Sequence, residues 1–213
     1  MRGVVLLLHG GRVRGRRRPS AAGPATIRMY SFQIALDRAG RSLGLATAVV
    51  GYRHTGWNDA DPVPDGAAAV AEVRSLFGDV PVCLVGHSMG GRVAVRIARE
   101  PDVVGVLGLA PWLPPGEPPA DLGQTLTLLA HGDCDRTTDP ALTFLYARDA
   151  AEHGARVAAL AVRGGEHKLL RRGRYWHRLT VRFALGVLGL APVDAELAEL
   201  FARPPAERVR VPV

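Results

Sequence analysis

The stretch Val82-Cys83-Leu84-Val85-Gly86-His87-Ser88-Met89-Gly90-Gly91 sets a serine between glycines two residues to either side. An apolar run precedes it, and a helical pattern (Val93, Ala94, Ile97, Ala98) follows. That context predicts a strand, a sharp turn and a helix. A serine on such a turn projects its hydroxyl from a strained backbone, where it can attack an electrophilic carbon. Gly86 and Gly90 suit the turn because side chains at these positions would collide across it. The helix that follows aims the positive end of its dipole at the oxyanion such an attack creates. In a chain this rich in glycine the pattern would arise by chance on the order of 0.07 times, fewer still between a strand and a helix. The other reading of the same residues is a glycine-rich turn whose serine only caps the helix.

This nucleophile motif resembles that of the α/β-hydrolase superfamily, and the resemblance extends over most of the chain. It implies an oxyanion loop after an early strand, where His9-Gly10-Gly11 follows Val4–Leu8. By that match the backbone N–H of Gly11 is one oxyanion donor, with Arg12 as a substitute, and the N–H of Met89 is the second; His9 is structural. The family order of serine, acid and histidine directs attention downstream. His131-Gly132-Asp133-Cys134-Asp135-Arg136 is similar to the family loop whose last carboxylate is the acid. This implies Asp135, with Asp133 as the local competitor better suited to capping a turn. Arg163-Gly164-Gly165-Glu166-His167 then delivers His167 as the base, with His153 and His177 as helical alternatives. His87 and His131 adjoin the motifs and are read as stabilising their loops. The resemblance thus implies a serine hydrolase that cleaves a carboxylic ester, thioester or lactone through an acyl-enzyme on Ser88. The same triad also serves acyltransferases and hydrolases of amide or C–C bonds, and a catalytically silent binding protein can keep the fold.

The elements that must position these residues are legible as apolar runs alternating with helix-length segments. The runs are Val4–Leu8, Leu45–Val50, Val80–Val85, Val103–Leu109, Leu126–Ala130 and Val157–Val162. They are continuous, as in strands covered by helices on both faces. Helices are expected around 24–40, 66–77, 89–99, 139–153 and 175–189, with Asp139 capping the fourth. The fold class is therefore α/β: a single domain with a mostly parallel sheet of about six strands flanked by helices. The domain is expected over residues 1–192. Residues 193–213 read as a tail with one short amphipathic helix at 194–202 and a loosely attached end from Arg203. Only about sixteen residues, Ala110 to Thr125, separate two consecutive strands, which leaves no room for a lid domain. The first strand corresponds to the third of the family, so the resemblance implies that the initial hairpin is missing. Two loops are expected to shape the pocket through Trp57 and Trp112, and Arg12 is a third candidate substrate contact.

Composition narrows the partners. The formal net charge is +7, almost all of it arginine, and five arginines cluster at Arg12, Arg14, Arg16, Arg17 and Arg18. Punctuated by Gly and Pro, that cluster reads as a solvated loop, with an acidic partner or substrate as the alternative. No nucleic-acid-binding module is apparent. Cys83 and Cys134 form neither a disulfide framework nor a metal spacing, and the chemistry calls for no metal and no organic cofactor. No stretch approaches the roughly 20 apolar residues of a membrane span. The opening run Val4–Leu8 is shorter than a signal-peptide core, so the expected location is cytoplasmic and the expected partner a small acyl substrate. Oligomeric state is not encoded in any feature of the sequence.

Overall fold

In the computed structural model, which describes residues 1–118 and 121–213, seven strands form one parallel sheet. The strands are β1 (Gly3–Leu8), β2 (Leu45–Val49), β3 (Val82–His87), β4 (Val103–Leu109), β5 (Leu126–Gly132), β6 (Val157–Val162) and β7 (Val211–Pro212). Their order across the sheet is β2-β1-β3-β4-β5-β6-β7. Every residue of β1 and of β3 is buried, which explains the unbroken apolar runs.

Helices cover both faces. On one side lie α2 (Pro62–Phe77), α3 (Met89–Arg96) and α4 (Pro140–Glu152), which share a core with the side chains of Val4, Leu6 and Leu84. On the other lie α1 (Pro24–Gly40), α5 (Gly173–Val187) and α6 (Ala195–Ala202), packed on Val5, Leu7 and Val85. The alternation of odd and even strand residues between the two cores is the pleat itself. Helix α2 begins at Pro62, earlier than its apolar pattern indicates. Prolines are tolerated in a first turn because its N–H groups have no helical acceptor.

The C-terminal segment departs from expectation. The helix at 195–202 is present, and its Leu197 and Leu200 are buried against α5. The end expected to hang loose instead forms β7, pairing Val211 with Leu160. Val213 N–H donates to Ala161 O at 3.0 Å, and Arg163 N–H to Val213 O at 2.9 Å. A two-residue strand carries no periodicity, so only its pairing with β6 makes it visible. The β4–β5 connection contains no helix among the described residues; Pro119, the end of its proline-rich stretch, lies outside them.

The chain leaves β1 for β2 on one side and returns to β3 on the other. The crevice between the carboxyl ends of β1 and β3 is therefore the topological switch point, where ligands bind in open α/β sheets. The residues after β1 are His9, Gly10 and Gly11, and the residue after β3 is Ser88.

Candidate active site

Ser88 joins β3 to α3 with φ 55° and ψ −118°, a conformation that costs a non-glycine residue of order 1–3 kcal/mol and persists only when its surroundings enforce it. The enforcement is visible on both sides. Ser88 N–H donates to Leu109 O at 3.1 Å, and Ser88 O accepts from Trp112 N–H at 3.0 Å. A Cβ on Gly86 would strike the carbonyl of Gly90, and one on Gly90 would strike the carbonyl of Leu8. The two glycines thus let α3 begin directly against the ends of β1 and β3.

The structure brings Ser88, His167 and Asp135 together. Ser88 Oγ lies 3.1 Å from His167 Nε2, and His167 Nδ1 lies 2.7 Å from Asp135 Oδ2. With an ionised carboxylate, Nδ1 carries the proton and donates it to Asp135, which leaves the Nε2 lone pair to accept the serine hydroxyl. Burial alone would raise the Asp135 carboxyl. Hydrogen bonds from His131, His167 and the N–H groups of Thr137 and Thr138 outweigh it and hold the group well below the usual carboxylate range. Asp135 Oδ1 accepts from Thr137 N–H at 2.7 Å and Thr138 N–H at 3.1 Å, and Oδ2 accepts from the Thr138 hydroxyl at 3.0 Å. Asp133 takes a different place: its Oδ1 accepts from Gly164 N–H at 2.7 Å, tying the acid loop to the histidine loop. Asp139 caps α4 by accepting from Ala141 N–H.

Further residues support this chain of bonds: His131 and His87, which adjoin the motifs, and Thr138 and Thr143, which no motif singles out. His131, fully buried, lies 3.0 Å from Asp135 Oδ2 through Nε2 and 2.7 Å from the Thr143 hydroxyl through Nδ1. The Thr138 hydroxyl also sits 3.1 Å from His167 Nδ1. His87 Nε2–H donates to His167 O at 2.8 Å, fixing the backbone of the base from beneath the serine. The helical alternatives are engaged elsewhere: His177 Nδ1–H donates to Gly173 O, and His153 Nδ1–H to Asp149 O.

His87 also makes acid stability predictable. Its ring is 2% exposed and its Nδ1 has no hydrogen-bond partner among the described residues. Burial first, then the neighbouring His167, pull its pKa down to about 3. The unfolded chain protonates this ring below about 6.5, while the folded chain resists until about 3, so stability present at neutral pH is lost as pH falls through that window. The expected loss from this group between pH 7.5 and 5 is about 2 kcal/mol. Urea unfolding at the two pH values should show it, and His87→Gln should flatten the slope; an unchanged slope in the variant would place the acid sensitivity elsewhere.

The oxyanion candidates sort themselves by hydrogen bonding. Arg12 N–H is committed to Thr55 O at 2.9 Å, so Arg12 is not the substitute donor its position suggested. The N–H groups of Gly11 and Met89 have no backbone acceptor among the described residues. A Cβ on Gly11 would meet Thr55 O at 2.6 Å as well as the Met89 side chain, so glycine is what lets the loop lie this close. His9 is buried beneath it, its Nδ1–H donating to Gly10 O at 2.7 Å and its ring packed on Tyr52.

Trp57 and Trp112 meet each other edge to face, with centroids 6.2 Å apart. Between them lies Arg92 of α3, its guanidinium 3.8 Å from the Trp57 ring centre and 4.7 Å from that of Trp112. Glu117 pairs with Arg92 at 2.5 Å and with Arg96 at 2.5 Å. Trp57 is only 7% exposed, so it belongs to the core that braces α3 rather than to an open groove. Trp112 is half-buried, and the Arg12 side chain is exposed. Among the described residues no helix is long and apolar enough to cross a membrane, and no group of three or more His, Cys, Asp or Glu is arranged to hold a metal.

Comparison with known proteins agrees with this architecture. No curated protein matches the chain. Among solved structures, an α/β serine hydrolase homologue from Coxiella burnetii is similar at 19% identity and TM-score 0.64, over 84% of this chain and 83% of that one. A thermophilic esterase from Thermogutta terrifontis, solved with butyrate bound, gives 19% identity and TM-score 0.63, over 91% and 86%. An arylesterase gives 16% identity and TM-score 0.64, over 89% and 75%. At such identities the likeness is one of fold. The model of the alpha/beta hydrolase family matches residues 5–213, nearly the whole chain, and the protein belongs to that family.

Proposed function

We propose that the protein is a serine hydrolase that cleaves a carboxylic ester, thioester or lactone through an acyl-enzyme on Ser88. The observation that carries this reading is the continuous hydrogen-bonded chain from the Ser88 hydroxyl through His167 to Asp135, placed on a strained turn beside the N–H groups of Gly11 and Met89, which have no backbone acceptor among the described residues. His167 Nε2 takes the hydroxyl proton as Oγ attacks the acyl carbon, then delivers it to the leaving group. Asp135 keeps the imidazole in the Nδ1–H tautomer and stabilises the imidazolium. Gly11 and Met89 N–H groups receive the oxyanion, each such donor being worth roughly 10²–10³ in rate.

Water is the acceptor we assign to the second half-reaction. The His167 side chain keeps 14% of its surface in solvent, and no helix covers the site from the β4–β5 connection among the described residues. A half-buried Trp112, whose N–H is bonded to Ser88 O, is the apolar group best placed to meet an acyl chain.

A fluorophosphonate probe read by intact mass and peptide mapping tests the reading directly. One adduct on Ser88, absent from Ser88→Ala and from His167→Ala, is the expected result. Folded wild-type protein that takes no adduct would show that the serine is not activated, and would leave a binding role for the pocket.

A further inference from the structure

The excess positive charge of this chain is concentrated beside the site. With 27 basic and 20 acidic residues the excess is seven (27 − 20 = 7), and residues 12–18 alone hold five arginines and no acid. Glycine and proline punctuation predicts a solvated loop here, and its backbone is laced to the loop after β2. Thr55 N–H donates to Arg17 O at 2.8 Å, Gly56 N–H to Gly15 O at 2.9 Å, Trp57 N–H to Arg12 O at 2.8 Å and Asn58 N–H to Val13 O at 3.0 Å. The Asn58 side chain accepts from Gly15 N–H at 3.0 Å. A loop held this way cannot relax its like charges apart by moving its backbone.

The five guanidinium groups are exposed, and none has an ion-pair partner among the described residues. Nearby acids are hydrogen-bonded elsewhere, Asp65 to Arg53, and Asp61 to Asn58 and His54, although Asp61 also feels the charge of Arg16 without pairing with it. A cleft of about 500 Å³ opens between Arg14, Arg16, Asn58 and Asp59, with Asp59 the one carboxylate lining it among the described residues. The same loop begins at Gly11, the oxyanion candidate. On the histidine side, Lys168, Arg171 and Arg172 are exposed, while the Glu166 carboxylate between them is occupied by the N–H groups of Lys168, Leu170 and Arg171.

We propose that the site takes acyl substrates carrying an anionic group, a carboxylate or a phosphate, which Arg14 and Arg16 bind in the cleft of the loop that starts at Gly11. The inference rests on the hydrolase reading above and names its substrate class. Guanidinium forks match the two oxygens of either group, and a fixed cluster of one sign raises the local concentration of the opposite one. Screening confines this attraction to roughly 8 Å at physiological salt, so it acts on a group bound at the site rather than at a distance.

Three thioesters separate the possibilities: S-butyryl-N-acetylcysteamine, which is neutral; S-butyryl-coenzyme A, with phosphates on the leaving side; and S-glutaryl-N-acetylcysteamine, with a carboxylate on the acyl side. In wild type at low salt, kcat/KM for one anionic thioester should exceed that of the neutral one by about 10-fold or more, the scale of one charge-assisted hydrogen bond. That ratio should fall towards one in Arg14→Ser/Arg16→Ser/Arg17→Ser and in wild type at high salt. Which anionic thioester carries the preference identifies the group. A ratio near one in wild type, or one that survives in the variant, overturns the proposal. If none is turned over while fluorophosphonate still labels Ser88, protection of Ser88 by the same compounds decides: protection by an anionic thioester alone supports the proposal, and equal or absent protection overturns it. An unlabelled Ser88 overturns the hydrolase reading, and this inference with it.

Discussion

Asp135→Asn is expected to lower kcat/KM on an ester by on the order of 10⁴-fold, whereas Asp133→Asn should cost less than about 10-fold. Both carboxylates stand in one short loop after β5, but they face different partners. Asp135 Oδ2 is 2.7 Å from His167 Nδ1, and its other oxygen is filled by two backbone N–H groups. An asparagine there either turns its NH2 towards the ring, which forces the proton from Nδ1 to Nε2, or loses the charge that stabilises the imidazolium. In the first case Nε2 can no longer accept the Ser88 proton. Asp133 accepts from Gly164 N–H and from the Cys134 thiol, away from the histidine ring, and an asparagine oxygen can accept in the same way. Steady-state kinetics on any ester that is turned over settle the matter, and effects in the opposite order would transfer the role of the acid to Asp133.

Gly90→Ala should cost more than about 4 kcal/mol and leave little folded protein, an effect well beyond that of an ordinary substitution. Its Cβ would overlap the carbonyl of Leu8 and press on that of His9, both backbone atoms at the end of a fully buried strand. Relief requires α3 to move away from β1, and that movement displaces Ser88, the residue that links α3 to β3. Gly173→Ala is the matched control: no atom lies within 4 Å of a Cβ there, so its change should stay within about 0.5 kcal/mol. Urea unfolding of both variants measures the contrast. A Gly90→Ala protein as stable as wild type would mean that the close approach of α3 to β1 is not obligatory.

The strands and helices that deliver the site were readable because their signals are local. Each of β1 to β6 overlaps a continuous apolar run, and each strand-to-loop junction that matters carries glycine. Ser88, Asp135 and His167 were approached through motifs of five to ten residues at the ends of such runs. The contacts that support the site have no local signal. Thr138 is an ordinary threonine until the loop folds its hydroxyl between Asp135 and His167. His87 adjoins the serine motif and reads as a loop stabiliser, but its partner, His167 O, lies 80 residues away and nothing local names it. Trp57 reads in the sequence as a loop aromatic that either meets a substrate or packs; the partner it packs on, Arg92, belongs to another element.

By itself, then, the sequence determined the α/β class and the strand-turn-helix that carries Ser88, since these depend on residue type and short spacing, while the succession of Ser88, Asp135 and His167 was implied by the resemblance of their motifs to a family. Tertiary structure decided which N–H groups remain unengaged, that Asp135 rather than Asp133 reaches the histidine, that the C-terminus closes the sheet as β7, and that the arginine loop is pinned. Each of these depends on a hydrogen bond between segments far apart in the chain, and backbone groups choose such partners only when the whole sheet has fixed their positions.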